Sequence, residues 1–440
     1  LVLKQEICVA LYFHLQSLHH LAAFIYQLSI RLYLFVMHVA AWFHPKARLW
    51  VEGRKGLLPR IADELPTRTR QRPVAWFHAA SLGEFEQGRP VIEAFRERYP
   101  HYFILLTFFS PSGYEVRKNY ALADYICYLP LDTPQNARRF VEIVQPRFAF
   151  FIKYEFWYNY LGELRRQKAV ILSFSTIFRP KQLFFRPYGG FYRNILRYFD
   201  HILVQNGESQ ALLHRIGIHS VTLAGDTRFD RVKQIAASTR ELPEIAAFVN
   251  GSLCMVVGSA WEADMQVLIP FLNTVTVPLK VIIAPHEIHG EEIERWRQQL
   301  TQPSLRYSAY ASGESVSTDS FQCLFIDNIG MLSSLYRYGY LAYVGGAFGT
   351  GLHNILEAAT FGLPVFFGNK KYQKFQEAVD LVELGGAQPV QDTAQLSQQV
   401  LPLLQDSTLR EQKGESCRQY VLTRTGATQQ VLGVVERYTP

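Results

Sequence analysis

The sequence predicts an α/β protein with two doubly wound domains that follow an apolar, membrane-associated N-terminal helix. Three observations carry this prediction. Beyond Pro73, short continuous apolar runs alternate with amphipathic stretches, the pattern of strands buried on both faces and the helices that cover them. The alternation weakens over Thr227 to Asn250 and then restarts, which marks a boundary between two such domains. Ahead of both lies an apolar run, Leu21 to Phe43. A chain of 440 residues with 48% hydrophobic residues is also too long for one ordinary core. The expected division is a helix over 1–45, a first α/β domain over 46–235 and a second over 236–440.

The N-terminal run reads LAAFIYQLSIRLYLFVMHVAAWF, and about 20 apolar residues suffice to cross a bilayer. Gln27, Arg31 and His38 interrupt it, and an arginine at mid-membrane costs about 2.5 kcal/mol or more. Three placements stay open: the segment crosses the membrane, lies in its interface with the aromatic face down, or packs as a long helix on its own domain. Lys46, Arg48, Arg54 and Lys55 follow it, the charge signature of the cytoplasmic side. No small-residue cleavage site follows, so the run is not read as a removed signal peptide.

The first domain's strands are expected in VAWFHAA, YFILLTFF, DYICYLP, RFAFFIKY, AVILSFS, HILVQN and SVTLAG, with helices such as RPVIEAFRERY and NARRFVEIVQ between them. The second domain's are SLCMVVGSA, PLKVIIAP, QCLFIDN, YLAYVGG and LPVFFG. Each run is bounded by turn residues. No short-period repeat is present, which excludes a solenoid. The net charge of +7 points to an anionic partner: nucleic acid, a membrane surface or a phosphorylated ligand. Cys8, Cys127, Cys254, Cys323 and Cys417 are scattered and indicate neither a metal site nor a disulfide framework.

Open parallel sheets bind ligands beyond the carboxyl ends of their strands, so the residues just after each apolar run are the candidates. In the first domain these are Ser81-Leu82-Gly83-Glu84, Ser110-Pro111-Ser112-Gly113, Lys153-Tyr154-Glu155 and Gln205-Asn206. In the second they are Ser259-Ala260-Trp261-Glu262, Pro285-His286 and the stretch GGAFGTGLHNILEAA from Gly345 to Ala359. Two such rows predict a cleft between the domains. Glu84, at the turn into an amphipathic helix, is either a helix cap or a base aimed into that cleft.

Gly345, Gly346, Gly349 and Gly351 let backbone approach an anion, and a helix expected from near His353 would add free N–H groups. His353, Asn354 and Glu357 would then share one face of that helix, where a carboxylate can accept ribose hydroxyls. The alternative is a glycine turn with a first-turn glutamate that complements the helix dipole. The pattern is neither a Walker loop nor a G-x-G-x-x-G opening the first strand.

Several blocks in order resemble the 3-deoxy-D-manno-octulosonic acid (Kdo) transferases of bacterial lipopolysaccharide synthesis. HAASLGEFEQGRP is similar to that family's Ser-x-Gly-Glu segment and IKYEFWYNYL to its Glu-x-Glu-x-Trp-Pro-Asn segment. LWVEGRKG, QNGES, AGDTRFD and YVGGAFGTGLHNILEAATFGLPVFFG match further blocks. The resemblance implies a glycosyltransferase B fold, two Rossmann-like domains facing a cleft. It also implies inverting transfer of Kdo from CMP-Kdo to a lipid A precursor (lipid IVA) at the cytoplasmic face of the bacterial inner membrane. No cofactor, metal or nucleic acid is implied.

On this resemblance Glu84 is the general base, and Gly83, Lys153 and Glu155 meet the acceptor. The donor falls to Arg228, Ser259, Pro285, His286, Gly345, Gly346, His353, Asn354 and Glu357. The chain departs from the family pattern at Lys153, where a glutamate is usual, at Tyr158, where proline is usual, and at Pro285-His286-Glu287, where Pro-Arg-His is common. The aromatic and basic segment Phe178 to Asn194, with Arg179, Lys181, Arg186 and Arg193, is expected to meet lipid headgroups; single-stranded nucleic acid binding uses the same mixture. Two other functions remain open: a related enzyme using a UDP-sugar, and a noncatalytic membrane-bound nucleotide or glycan sensor.

Overall fold

Both halves of the chain form parallel sheets, and the computed structural model describes them over residues 2–312 and 320–439, with side chains from residue 21 onward. Contacts group Leu1–Arg231 with Gly426–Pro440 in one compact unit and Val232–Thr425 in the other.

The first unit carries β1 (Val74–Ala79), β2 (Phe103–Phe108), β3 (Tyr125–Tyr128), β4 (Pro146–Ile152), β5 (Val170–Thr176), β6 (His201–Val204) and β7 (Val221–Leu223). They lie in the order β3-β2-β1-β4-β5-β6-β7, with every pairing parallel. Each residue of β1 and β2 is buried, because side chains alternate between two covered faces. Trp76, Leu105, Phe151 and Ile171 enter one core, and Phe77, Leu106, Phe150 and Leu172 the other. Phe77 and Phe150 stack with ring centroids 4.3 Å apart.

The second unit carries β8 (Cys254–Ala260), β9 (Lys280–Pro285), β10 (Ser304–Arg306), β11 (Cys323–Phe325), β12 (Leu341–Val344), β13 (Val365–Gly368) and β14 (Ala387–Val390). Their order is β10-β11-β9-β8-β12-β13-β14. Two of these strands, β10 and β14, are absent from the sequence expectation. Both are sheet edges of only three and four residues with half-buried positions, so neither shows a continuous apolar run. In each sheet the winding reverses beside the first strand, between β1 and β4 and between β8 and β12, which opens a crevice at those strands' carboxyl ends.

Two stretches differ from the sequence expectation. The polar stretch read as a linker forms helices Thr227–Ala237 and Pro243–Val249, stabilised by burial of Phe229 and Val232 in one and of Ile245, Phe248 and Val249 in the other. The final helix, Ala427–Glu436, which the sequence rhythm assigns to the second domain, packs in the first unit. Its Val431, Leu432, Val434 and Val435 enter the core that holds Phe77 and Phe95. Asp230 accepts the N–H groups of Gly426 and Thr428 at 2.6 and 2.7 Å and so satisfies its first turn.

Three helices precede β1: α1 (Val2–Ala40), α2 (Pro45–Glu52) and α3 (Leu57–Thr69). Along α1, Ala22, Ala23, Tyr26, Ile30, Leu34 and Met37 pack on the first unit, the later ones against Ala47, Trp50, Val51 and Leu131. Spacings of three and four put them on one face. The opposite face exposes Phe24, Ile25, Leu28, Leu32, Phe35, Val36 and Val39, and Trp42 and Phe43 beyond the helix are 77% and 81% exposed. The helix therefore combines a docked face with an uncovered apolar one. By length and composition Leu21–Ala40 is long and apolar enough to cross a membrane. Polar ties reinforce the docking: Tyr26 Oη donates to Asp132 Oδ2 at 2.6 Å and Gln27 Nε2 to Asn159 Oδ1 at 2.7 Å. Tyr158, in place of the usual proline, packs its ring edge-on to Tyr26.

Cys127, Cys254, Cys323 and Cys417 are free and buried, and burial pushes each thiol up to about 12. The side chain of Cys8 lies outside the described residues.

Candidate functional site

In the first unit the crevice at the reversal of winding is built from two loops, one after β1 and one after β4. After β1 the chain turns at Ser81 into α4 (Leu82–Arg98), and the Ser81 hydroxyl accepts the Glu84 N–H at 3.4 Å. Glu84 Oε2 in turn accepts the Ala80 N–H at 2.6 Å. The carboxylate thus closes a cap at the helix start, as one of the two sequence readings had it. Its protonation is not that of an ordinary cap. Burial first, and the nearby Glu155 carboxyl second, push Glu84 up to about 7, against the opposing pull of the Ala80 N–H and then Lys153. A carboxyl poised there exchanges its proton at neutral pH, which suits general-base chemistry. One side chain thus combines a capping contact with a raised proton affinity.

After β4, Lys153 adopts the left-handed backbone region at φ 69°, an uncommon conformation for a non-glycine residue and one that gathers at functional sites. Glu155 is 7% exposed. Its Oε2 accepts the Trp157 Nε1–H at 2.7 Å and lies 3.0 Å from His78 Nε2. Gly83 is exposed, and a Cβ there would meet only Ser81 Oγ at 4.0 Å, so packing does not demand its bareness. The structure thus gathers Gly83, Glu84, Lys153 and Glu155 at one crevice. Arg228 also belongs to the first unit, where Asp226 accepts its Nε–H at 2.8 Å and its backbone N–H at 2.9 Å.

The second unit assembles the remaining candidates at the reversal between β8 and β12. Ser259 stands at φ 53°, where the β8–β9 register shifts. The backbone of Gly345 runs so close to it that a Cβ would come 2.3 Å from Ser259 O, and one on Gly346, at φ 96°, would come 2.3 Å from Gly351 O. Glycine is required at both. Asp264 fixes this loop from below: fully buried, it accepts from Gly346 N at 2.9 Å, Trp261 N at 3.0 Å and Tyr343 Oη at 3.0 Å.

His286, which follows Pro285 at the end of β9, stacks over both Trp261 and His353 with centroid separations of 4.4 and 4.3 Å, and those two rings lie side by side 6.3 Å apart. Trp261 Nε1 donates to His353 Nε2 at 2.9 Å, so the proton of neutral His353 sits on Nδ1. Burial, then His286, holds His353 down to about 4. Asn354 Nδ2 donates to Glu357 Oε1 at 3.1 Å. One expectation is corrected: the helix here is Leu356–Thr360, so His353 and Asn354 precede it. The His353 N–H bonds back to Gly345 O at 3.2 Å, because the glycine turn needs that donor to close.

In the aromatic and basic segment one of the four cations is engaged locally. The Arg193 guanidinium donates to the carbonyls of Phe184, Arg186 and Pro187, so it staples its own loop, while Arg179, Lys181 and Arg186 stay exposed. Sequence reasoning named Trp261 among the strand-end candidates but missed three residues that shape the two crevices: His78, Trp157 and Asp264. A signal existed for His78, a lone ring nitrogen pair inside an otherwise apolar strand, which must find buried partners. Asp264, three residues after Trp261 at a helix start, also carried the spacing of a capping residue.

Residues 53–231 match the family model described as 3-deoxy-D-manno-octulosonic-acid transferase (kdotransferase). Two curated relatives carry the same name. One from Bordetella pertussis is 26% identical over 82% of this chain and 86% of its own; one from Chlamydophila psittaci is 25% identical over 76% of this chain and 79% of its own. Among solved structures, UDP-GlcNAc 2-epimerase from Neisseria meningitidis bound to UDP-GlcNAc aligns at TM-score 0.56 with 12% identity, over 83% of this chain and all of that one; this likeness is one of fold, the paired Rossmann-like units of the glycosyltransferase B class. The family match covers the Glu84 crevice, and the chain is similar to these Kdo transferases over about three quarters or more of its length.

Proposed function

We propose that this enzyme transfers Kdo from CMP-Kdo to a sugar hydroxyl of a lipid A precursor, with inversion, and that Glu84 is the base. The observation that carries the assignment is a buried carboxyl beside a second carboxyl, pushed up to about 7, in the crevice at a winding reversal. The acceptor oxygen forms a bond to the anomeric carbon of Kdo as the bond from that carbon to the CMP phosphate oxygen breaks. The hydroxyl proton goes to Glu84, and CMP leaves as an anion. Lys153 offsets part of the negative charge of the carboxylate pair, and bare Gly83 lets the acceptor approach α4.

The donor is assigned to Ser259, Pro285, His286, Gly345, Gly346, His353, Asn354 and Glu357, with Arg228 contributing charge toward the phosphate. Glycine backbone supports close approach of an anion. The exposed His286 ring, stacked on Trp261 and His353, offers an aromatic surface. The uncovered face of α1 and the cations Lys46 and Arg48 beside it favour attachment to an anionic membrane surface, on the cytoplasmic face of the inner membrane where the substrates of this reading meet.

The test is to incubate the protein with CMP-Kdo and a tetraacylated lipid A precursor and to follow product mass. The expected product is the precursor plus Kdo. Protection of the protein by UDP in preference to CMP, with no Kdo-bearing product, would overturn the assignment.

A further inference from the structure

We propose that His78 is a positioning residue for the transfer reaction. Through a buried chain of hydrogen bonds that links it to Trp76 and Thr107, it holds the Glu155 carboxyl in place beside Glu84, and so governs how Glu84 takes up a proton. This rests on the reading of Glu84 as the base.

The direction of the chain follows from which groups can only donate. The indole Nε1–H of Trp76 has no acceptor capacity, and it lies 2.8 Å from Thr107 Oγ1. The hydroxyl, having accepted there, has its own hydrogen to give, and His78 Nδ1 lies 2.8 Å from it. The other ring nitrogen, Nε2, is 3.0 Å from Glu155 Oε2. Trp157 Nε1, again a pure donor, points at the same oxygen at 2.7 Å, so that oxygen is an acceptor. His78 therefore donates from Nε2, while its Nδ1 faces both the Thr107 hydroxyl at 2.8 Å and the Thr107 carbonyl oxygen at 3.2 Å.

Trp76, His78 and Thr107 are fully buried, and His78 pairs directly with Thr107 across β1 and β2. Two polar residues thus face each other inside two strands that are otherwise apolar. Burying polar groups is costly unless each is satisfied, and here each link satisfies the next until the last reaches a carboxylate. The rings of Trp76, Phe151 and Trp157 also pack around His78. The charged and titratable groups that act on Glu84 are Glu155 and Lys153, with Tyr154 also within its field. Of these, Glu155 is the one that raises Glu84. Anything that lets Glu155 share the proton relieves Glu84 of that neighbour.

The experiment compares His78→Leu, which removes the donor, Thr107→Val, which breaks the chain one link earlier, and His78→Gln, whose amide can still donate. For each, the rate of Kdo transfer is followed against pH, together with KM for both substrates. The Glu84 carboxyl is titrated by infrared difference spectroscopy, its band identified by absence from Glu84→Gln. The expected result is an acid limb displaced to lower pH in His78→Leu, with the infrared titration displaced in parallel. The plateau rate should fall roughly tenfold, as a weaker base transfers less effectively, with KM for CMP-Kdo unchanged. Thr107→Val moves the same way by less, and His78→Gln restores the profile.

Nitrogen-15 resonance of labelled histidine in the full-length protein should show His78 protonated on Nε2. A folded His78→Leu with wild-type pH profile and titration overturns the proposal. So does an unchanged Thr107→Val profile if His78→Leu fails to fold, or a His78 lacking a proton on Nε2. If instead Glu84→Gln turns over normally while the Glu84 titration still moves in His78→Leu, the base reading fails and the electrostatic chain stands.

Discussion

The capping contact of Glu84 and its proposed role as base leave different traces when altered. Glutamine keeps the reach needed to accept the Ala80 N–H, so Glu84→Gln should retain the fold and CMP binding while transfer falls by roughly 10²–10⁴, the usual weight of general-base catalysis. Product mass and calorimetric CMP binding check both halves. The raised proton affinity also predicts a stability signature. The unfolded chain releases this proton near pH 4.5, while the folded protein holds it to about 7. Over that interval the native state binds more protons, so the stabilisation is full below pH 4.5 and is lost as pH rises through 7. Every tenfold gain in proton affinity on folding corresponds to about 1.4 kcal/mol. Glu84→Gln should therefore raise Tm relative to wild type at pH 8 and not at pH 4.5. Equal Tm differences at the two pH values would show that the carboxyl is not held protonated in the folded state.

At the scale of elements, α1 and the glycine loop each depend on one buried carboxyl. Asp132, nine-tenths and more buried, is pushed up to about 6 by burial despite the N–H groups of Asn159 and Tyr160 and the Tyr26 hydroxyl aimed at it. Tyr26→Phe removes the hydroxyl and leaves the ring packing, so it should cost about 1–3 kcal/mol, read as a lowered Tm and as earlier proteolysis between α1 and α2. An unchanged Tm would show that apolar contacts alone hold the helix. In the glycine loop, Gly346→Ala meets both the left-handed backbone, about 1–2 kcal/mol, and a carbonyl 2.3 Å from the new Cβ. CMP affinity should fall at least roughly tenfold, equivalent to 1.4 kcal/mol, with circular dichroism little changed. Wild-type CMP affinity would separate this loop from the donor site.

At the scale of the whole molecule, the second unit is inserted into the first: the chain leaves at Arg231 and returns at Gly426 to complete the first core. Val431, Leu432, Val434 and Val435 are buried there, at about 1.5–3 kcal/mol each, a sum comparable with the 5–15 kcal/mol that holds a typical domain folded. A chain ending at Thr425 retains every residue assigned to acceptor or donor, yet it should lose the first unit's thermal transition and all Kdo transfer. Normal unfolding of that shortened chain would show the last helix to be dispensable.

Local pattern was enough to read much of this protein. The apolar runs that became β1 to β9 and β11 to β13, the cap geometry around Ser81 and Glu84, and the glycines at 345 and 346 all follow from interactions within a few residues: two-sided burial, a serine before a helix, a backbone that tolerates no Cβ. The short edges β10 and β14 were illegible because their half-exposed residues lack such a run. What only the tertiary structure decided is non-local. Ala427–Glu436 reads as a helix in any context, but its period does not say which sheet it covers. The apolar residues of α1 do not announce which face will dock until Asp132 and Asn159 arrive beside it, more than a hundred positions later. His78 is visible as a polar residue in an apolar strand, but its partners depend on the register that sets it opposite Thr107 and on the loop that returns Glu155. Periodicity constrains the side of a strand or helix; burial against a distant partner chooses the neighbour, and the charge at Glu84 is set by those neighbours.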